Sequence, residues 1–256
     1  MGDAASSNTL PDEKHDYAIV LRESLAKAKA LRMAANAQPD ATAERLRLRR
    51  WQAERLARTH ADLLENPRYS AAAQFFLSDL YGPKDFSERD DEIERILPTL
   101  LAVLPASGVR TVALAIEVDA LSEELDQAMV QALRRGAGVM GEMTANAYAE
   151  AYRRCGNRSQ RELQIALVGA TGQALDRLTR RPLIGTALHL MRVPAHMAGL
   201  GELHEFLQRG FDAFRSMGGA DDFLRTIAER ETGLMEQLFA GDAGGLSFIA
   251  SGQARP

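Results

Sequence analysis

The sequence predicts an all-α protein, a multi-helix bundle of about ten helices with no significant sheet. Three observations indicate this fold class. Apolar residues recur every three or four positions along most of the chain, which is the spacing of one helix face. The segments with this pattern are rich in Ala, Leu, Glu and Arg, which are strong helix formers. The β-branched run at 109–118 would suit a strand in isolation, but its helical surroundings favour a buried helix.

Proline and glycine divide the chain into successive helices. Breaks are predicted at Pro39, Asn66-Pro67, Gly82-Pro83 and Gly156-Asn157, a turn at 105–108, and a hinge at 194–201. A kink is expected at Pro98, and Ser122 is a predicted helix start. The resulting helices cover 12–37, 42–65, 70–81, 87–104, 109–118, 122–136, 139–154, 159–179, 183–193, 202–217 and a last segment from 221.

The helix at 70–81 carries two adjacent aromatic residues, Phe75 and Phe76. Adjacent side chains point about 100° apart on a helix. Both rings can therefore be buried only if this helix is packed on two sides. The sequence thus predicts a central position for it.

The chain has 256 residues, which fits one large domain. We expect a disordered N-terminus at 1–11, a single all-α domain at 12–240 and a flexible tail at 241–256. Glycine-containing breaks near 136 and 156 leave a subdivision of this domain open.

Composition bounds the location and the partners. The net charge of −4 gives no reason to expect nucleic-acid binding. The single cysteine, Cys155, excludes an internal disulfide and suits a reducing compartment. No secretory signal and no apolar run long enough for a transmembrane segment are found, so we expect a cytoplasmic protein.

No catalytic motif is present. The chain lacks a P-loop, a GxSxG elbow, an HExxH pair and a CxxC pair. It also lacks the Glu-x-x-His pairs of di-iron bundles. The sequence therefore predicts no catalytic residue and no metal site, and no cofactor is expected.

One candidate ligand pocket lies near Pro194, where four side chains that can contact a bound group are close in sequence: His189, Met191, His196 and His204. Imidazole and thioether groups ligate metals and haem iron. If the helices fold back, these side chains would converge on an apolar pocket between the 70–81 helix and the 183–214 hairpin. Haem, a metal or an acyl chain would suit it. The alternative is that the histidines are surface or half-buried residues without a ligand.

A candidate interaction surface lies on the second helix, with four arginines: Arg45, Arg49, Arg50 and Arg58. Arginine runs at 45–58, 153–161 and 177–181 suit phosphate or anionic lipid. The alternatives are a solvated face or pairing with the acidic segments at 85–94 and 117–126.

Residues 75–81 read Phe-Phe-Leu-Ser-Asp-Leu-Tyr, and this segment resembles the motif of a bacterial family named after FFLEELY. The resemblance extends through DALSEELD at 119–126 and RPLIGTALHLMR at 181–192, and it covers roughly residues 44–241. The chain departs from the motif at Ser78 and Asp79. The family has no assigned activity, so the resemblance implies no function.

Three hypotheses follow. The first is a non-enzymatic helical protein that acts through protein–protein interaction or self-association. The second is a haem-, metal- or apolar-ligand-binding protein, or an enzyme, that uses the pocket near Pro194. The third, binding of anionic membranes or nucleic acid through the arginine runs, fits the net charge poorly.

Overall fold

The computed structural model describes residues 10–80, 82, 86–137 and 143–246. This part of the chain forms eleven α-helices and no strand, which confirms the all-α fold class. The helices are α1 Leu10–Asn36, α2 Pro39–Thr59, α3 Ala61–Glu65, α4 Ser70–Phe75, α5 Ser87–Val103, α6 Ala106–Ala137, α7 Ala145–Cys155, α8 Arg158–Thr179, α9 Pro182–Met197, α10 Gly201–Met217 and α11 Asp221–Phe239. A π-helical turn at Phe76–Leu80 follows α4, and a 3-10 turn at Gly244–Leu246 follows α11.

Helix α6 forms the axis of the bundle and packs against α1, α2, α7 and α8. It runs for 32 residues without a break. The β-branched run at 109–118 therefore belongs to a buried helix. The predicted turn at 105–108 and the predicted start at Ser122 are wrong. The helix already begins at Ala106, and the Ser122 hydroxyl donates to the carbonyl of Val118 inside it.

The two adjacent phenylalanines are packed on two sides, as the sequence predicts. Phe75 and Phe76 are both buried and meet edge to face, with ring centroids 6.3 Å apart. Phe75 contacts Phe206 of α10, and Phe76 contacts Phe223 of α11. Helix α10 can approach this closely because Gly210 faces the Phe75 ring; a Cβ there would lie 2.8 Å from Cζ.

The predicted break at Pro39 is confirmed, since α1 ends at Asn36. Pro39 also occupies the first turn of α2, where its missing N–H costs nothing, so α2 begins before the expected start at 42. Pro194 lies inside α9, and the helix continues to Met197, so the predicted hinge at 194–201 is wrong in its first half. Pro194 and Leu190, whose carbonyl loses its partner, are both exposed to water. A short turn with Gly199 at φ 66° then leads into α10.

The expected disordered N-terminus and flexible tail fall largely outside the described residues. Helix α1 already begins at Leu10, and Leu246 is fully buried. No helix in the described ranges combines the length and apolar character needed to cross a membrane.

Candidate functional site

Helices α1, α2, α5 and α6 meet around a layer of buried charges. Each of its residues is at most 8 % exposed. We call this set the charged layer. It consists of four arginines and four carboxylates, Arg32, Arg45, Arg49, Arg89, Asp90, Asp119, Glu123 and Asp126.

Glu123 of α6 is the most connected carboxylate of the charged layer. Its Oε1 lies 2.9 Å from Nε of Arg32 and also contacts Arg49, and its Oε2 lies 3.2 Å from Nη1 of Arg45. Arg49 also bonds Asp126 at 3.0 Å. One glutamate thereby links α1 and α2 to the central helix.

The other end of the charged layer joins α5 to α1 and α6. Arg32 contacts Asp90 and lies 2.5 Å from Asp119, and Arg89 lies 3.2 Å from each of these two carboxylates. Burial raises the pKa of Asp90 to about 6, against the pull of the two arginines. Burial also acts to raise the pKa of Asp119, but Arg89 and Arg32 outweigh it and hold that pKa below its usual value.

The predicted arginine surface is corrected by this arrangement. Arg45 and Arg49 are buried in ion pairs with the 117–126 segment, which is the pairing alternative drawn from the sequence. Arg50 and Arg58 are exposed on the same helix. The four arginines therefore do not form one surface. The charged layer has a structural role, because its arginines and carboxylates pair with one another across the helices.

An interior cavity of about 120 Å³ lies beside the charged layer, between α2, α6, α7, α8 and α11. Its wall is largely apolar and includes Leu56, Phe76, Val168, Ile227 and Leu234. Its polar lining includes three arginines, two tyrosines and a glutamine: Arg49, Arg55, Arg161, Tyr148, Tyr152 and Gln164.

A buried triad forms one wall of this cavity. Nη1 of Arg55 lies 2.6 Å from both carboxylate oxygens of Glu231, and Nε2 of His60 lies 3.0 Å from Oε1. Burial acts to raise the pKa of Glu231, but the charge of Arg55 and hydrogen bonds from His60 and Arg55 outweigh it and bring the pKa to about 2. Glu231 is thus held as a carboxylate.

Arg161 of α8 differs from the other two arginines on the cavity wall. It is 6 % exposed, and its guanidinium lies 4.7 Å over the Tyr152 ring. Nη1 lies 3.3 Å from Oε1 of Gln164, whereas Nε and Nη2 have no hydrogen-bond partner among the described residues. Arg49 and Arg55 are each paired with a carboxylate.

The predicted histidine pocket is only partly assembled. The rings of His196 and His204 lie 6.0 Å apart, and His204 is buried. Burial, then the charges of His196 and Arg192, lower the pKa of His204. His189 and Met191 are exposed on α9. An apolar cavity of about 60 Å³ does lie between α4 and α10, but none of the histidines lines it.

Within the described ranges, no group of three or more His, Cys, Asp or Glu side chains is arranged to hold a metal ion. Cys155 is half-buried, and burial raises the pKa of its thiol despite the nearby arginines. Its sulfur lies 3.8 Å from that of Met129, so it packs as an apolar residue.

Helix α9 exposes large apolar side chains along its outer side. Leu183 is 77 % exposed, Leu190 69 %, Val193 66 % and Met197 85 %. We call these four residues the α9 face. The inner side packs on α10, where Gly185 lies against Phe211. The seven-residue spacing of Leu183, Leu190 and Met197 is visible in the sequence. The sequence does not show which side of this apolar helix is exposed to water.

Comparisons with known proteins give one match. Residues 31–244 match the model of a family described as a domain of unknown function, DUF8198. A search of curated proteins and a search of solved structures gave no significant match. Because the match spans most of the 256 residues, the chain belongs to this uncharacterised family.

Proposed function

We propose that this protein works by self-association through the α9 face. The observation that carries the proposal is the exposure of four large apolar side chains on one side of one helix. Water-exposed apolar stripes of this kind mark interaction surfaces in folded proteins. On the opposite side of this hairpin, Leu203, Phe211 and Phe214 of α10 are buried in the bundle.

The spacing of the α9 face suits another helix. Leu183, Leu190 and Met197 are seven residues apart, and Val193 lies three residues after Leu190. A seven-residue apolar repeat forms a seam that accepts side chains of a facing helix. The partner is therefore a helix with a similar stripe.

The stripe matches itself when two copies run antiparallel. With Leu190 opposite its own copy, Leu183 faces Met197, and Val193 faces Ala187, a large residue opposite a small one. A two-fold dimer uses the same patch twice, which this symmetry allows. The second copy of the chain is thus the partner that the face fits.

Charge supports the same pairing. Exposed Arg181 lies at the start of α9, and exposed Glu202 follows its end at the start of α10. An antiparallel pair brings the start of one α9 to the end of the other, so opposite charges meet at both edges. Helix α9 has 16 residues and is about 24 Å long. One such contact is small, and we expect micromolar dissociation.

Sedimentation velocity over a range of concentrations tests the proposal. The wild-type chain should shift from monomer to dimer at micromolar concentration, and Leu190→Glu should stay monomeric with unchanged helicity. Leu163→Glu is the matched control, since Leu163 is exposed on α8 at 47 %, and it should dimerise like the wild type. A monomeric wild type, or a dimer that survives Leu190→Glu, would contradict the proposal; wild-type monomers that cosediment with anionic vesicles would assign the face to a membrane surface.

We infer that residues 12–240 form one domain, that the protein acts in a bacterial cytoplasm, and that its family is the one named after FFLEELY. Supporting this, the family match at 31–244 covers the stretch of the resemblance, and the two phenylalanines of the motif are buried at the centre of the fold.

A further inference from the structure

The interior cavity beside the charged layer is lined by Arg161, whose guanidinium has no counter-ion in the described ranges. Its Nε and Nη2 are buried and have no hydrogen-bond partner there, whereas Gln164 accepts a hydrogen bond from Nη1. In the described part of the chain, Arg161 forms no salt bridge. Its cation–π contact with Tyr152 neutralises no charge.

Burying such a side chain lowers the stability of the folded protein. A buried charge without a partner is strongly destabilising, and natural proteins pair or solvate it. The α2 and α11 sides of the same cavity show the usual solution, because Arg55 there bonds Glu231. Within the described residues no carboxylate pairs with Arg161, so its guanidinium can take a counter-ion from a bound ligand.

The free atoms specify the chemistry of that partner. Nε and Nη2 share one edge of the guanidinium, and their two N–H groups point in parallel. This edge binds a carboxylate through two hydrogen bonds side by side. The hydrogen bond from Nη1 to Gln164 fixes the orientation of the guanidinium, and with it the direction of the Nε and Nη2 N–H groups.

The wall and size of the cavity specify the rest of the ligand. Most of the lining is aliphatic or aromatic, including Phe76, Val168, Ile227 and Leu234. The volume of about 120 Å³ is near that of an engineered apolar cavity of about 150 Å³ that holds benzene. Only a compact molecule fits.

We propose that this cavity binds a small organic carboxylate with an apolar body, of about the size of benzoate or hexanoate. The carboxylate pairs with the Nε–Nη2 edge of Arg161, and the apolar body fills the space between α2, α8 and α11. Three carboxylates also line the cavity, those of Asp119, Asp126 and Glu231. Each of them is already paired with an arginine of the chain. Arg161 is therefore the anchor for an anion. The site is separate from the α9 face.

Calorimetric titration of the full chain with benzoate and with hexanoate tests this proposal. Arg161→Gln removes the anchor, and we expect it to weaken binding by about 100-fold, since two hydrogen bonds to a charged group are lost. Arg158→Gln is the matched control: it lies on the same helix, is half exposed and does not line the cavity. It should bind like the wild type.

Val168→Phe provides a second variant that keeps Arg161 and fills the cavity, and it should also abolish binding. Circular dichroism and melting temperature show whether each variant is folded; if Arg161→Gln is not, Val168→Phe decides. Absence of binding of both acids to the wild type overturns the proposal, as does equal loss in Arg158→Gln. Inorganic phosphate is the third titrant: if it binds and the two acids do not, the cavity is a phosphate site and the carboxylate proposal is wrong.

Discussion

Replacing Glu123 by Gln tests how much the charged layer contributes to folding. The substitution keeps the shape of the side chain and removes its charge. Glu123 is 2 % exposed and contacts three arginines, with Nε of Arg32 at 2.9 Å and Nη1 of Arg45 at 3.2 Å. Removing one partner of a buried ion pair leaves an uncompensated charge and costs about 3–5 kcal/mol. We expect a loss of this size in the free energy of unfolding.

Equilibrium unfolding in urea, followed by circular dichroism, measures the loss as a lower midpoint at unchanged slope. Glu124→Gln is the control, because Glu124 is the next residue of α6 and its pair with Lys27, at 2.5 Å, is exposed. An exposed pair is worth about 0–1 kcal/mol. If the two variants lose the same stability, the charged layer does not hold α1 and α2 on α6, and the reasoning is refuted.

Two further predictions concern pH and packing. The pKa of Glu231 is lowered to about 2 in the fold, so the stability it contributes is full above its unfolded pKa of about 4.3 and is lost as pH falls towards 2. Urea midpoints between pH 5 and 2 should therefore fall less steeply in Glu231→Gln than in the wild type; equal slopes would disprove the shift. Gly210→Ala should cost about 1–3 kcal/mol because its Cβ would meet Phe75 at 2.8 Å. Gly233→Ala, in open space within α11, should instead stabilise by about 1 kcal/mol, and thermal melts that show the same sign for both would contradict this packing.

The helical fold and its centre were predictable because they depend on local spacing. Adjacent Phe75 and Phe76 require packing on two sides wherever the helix lies. Elsewhere in the fold Trp51 is buried and stacks on Tyr148, with ring centroids 4.1 Å apart. By contrast, no local pattern in the sequence predicts that α4 is followed by a π-helical turn at Phe76–Leu80.

Helix ends were less predictable, because tertiary packing overrides weak local signals. Ser122 has the sequence of a helix start, yet it lies inside α6. The residues before and after it, Leu121 and Glu123, are both buried, so packing keeps the helix continuous there. Pro194 has the sequence of a hinge, yet α9 continues through it because the broken hydrogen bond faces water.

The candidate sites depended on pairings that no single segment encodes. The sequence left solvation and ion pairing of Arg45 and Arg49 as alternatives, and only the position of α2 against α6 decides between them. Arg161 belonged to an arginine run for which the sequence left anion binding, solvation and ion pairing open. It is buried because α6 and α11 pack against α8 and the Tyr152 ring of α7 lies against its guanidinium. Its lack of a counter-ion among the described residues appears only when the helices around the cavity are brought together.

Disulfide trapping at the centre of the α9 face tests the self-association most directly. In a chain that carries Cys155→Ser and Leu190→Cys, the two-fold arrangement places the new thiol opposite its own copy. Mild oxidation should convert most of the protein to a covalent dimer, whereas Leu163→Cys on α8 in the same background should stay monomeric. Equal crosslinking of the two variants, or none at Leu190→Cys, would contradict an antiparallel pairing of α9.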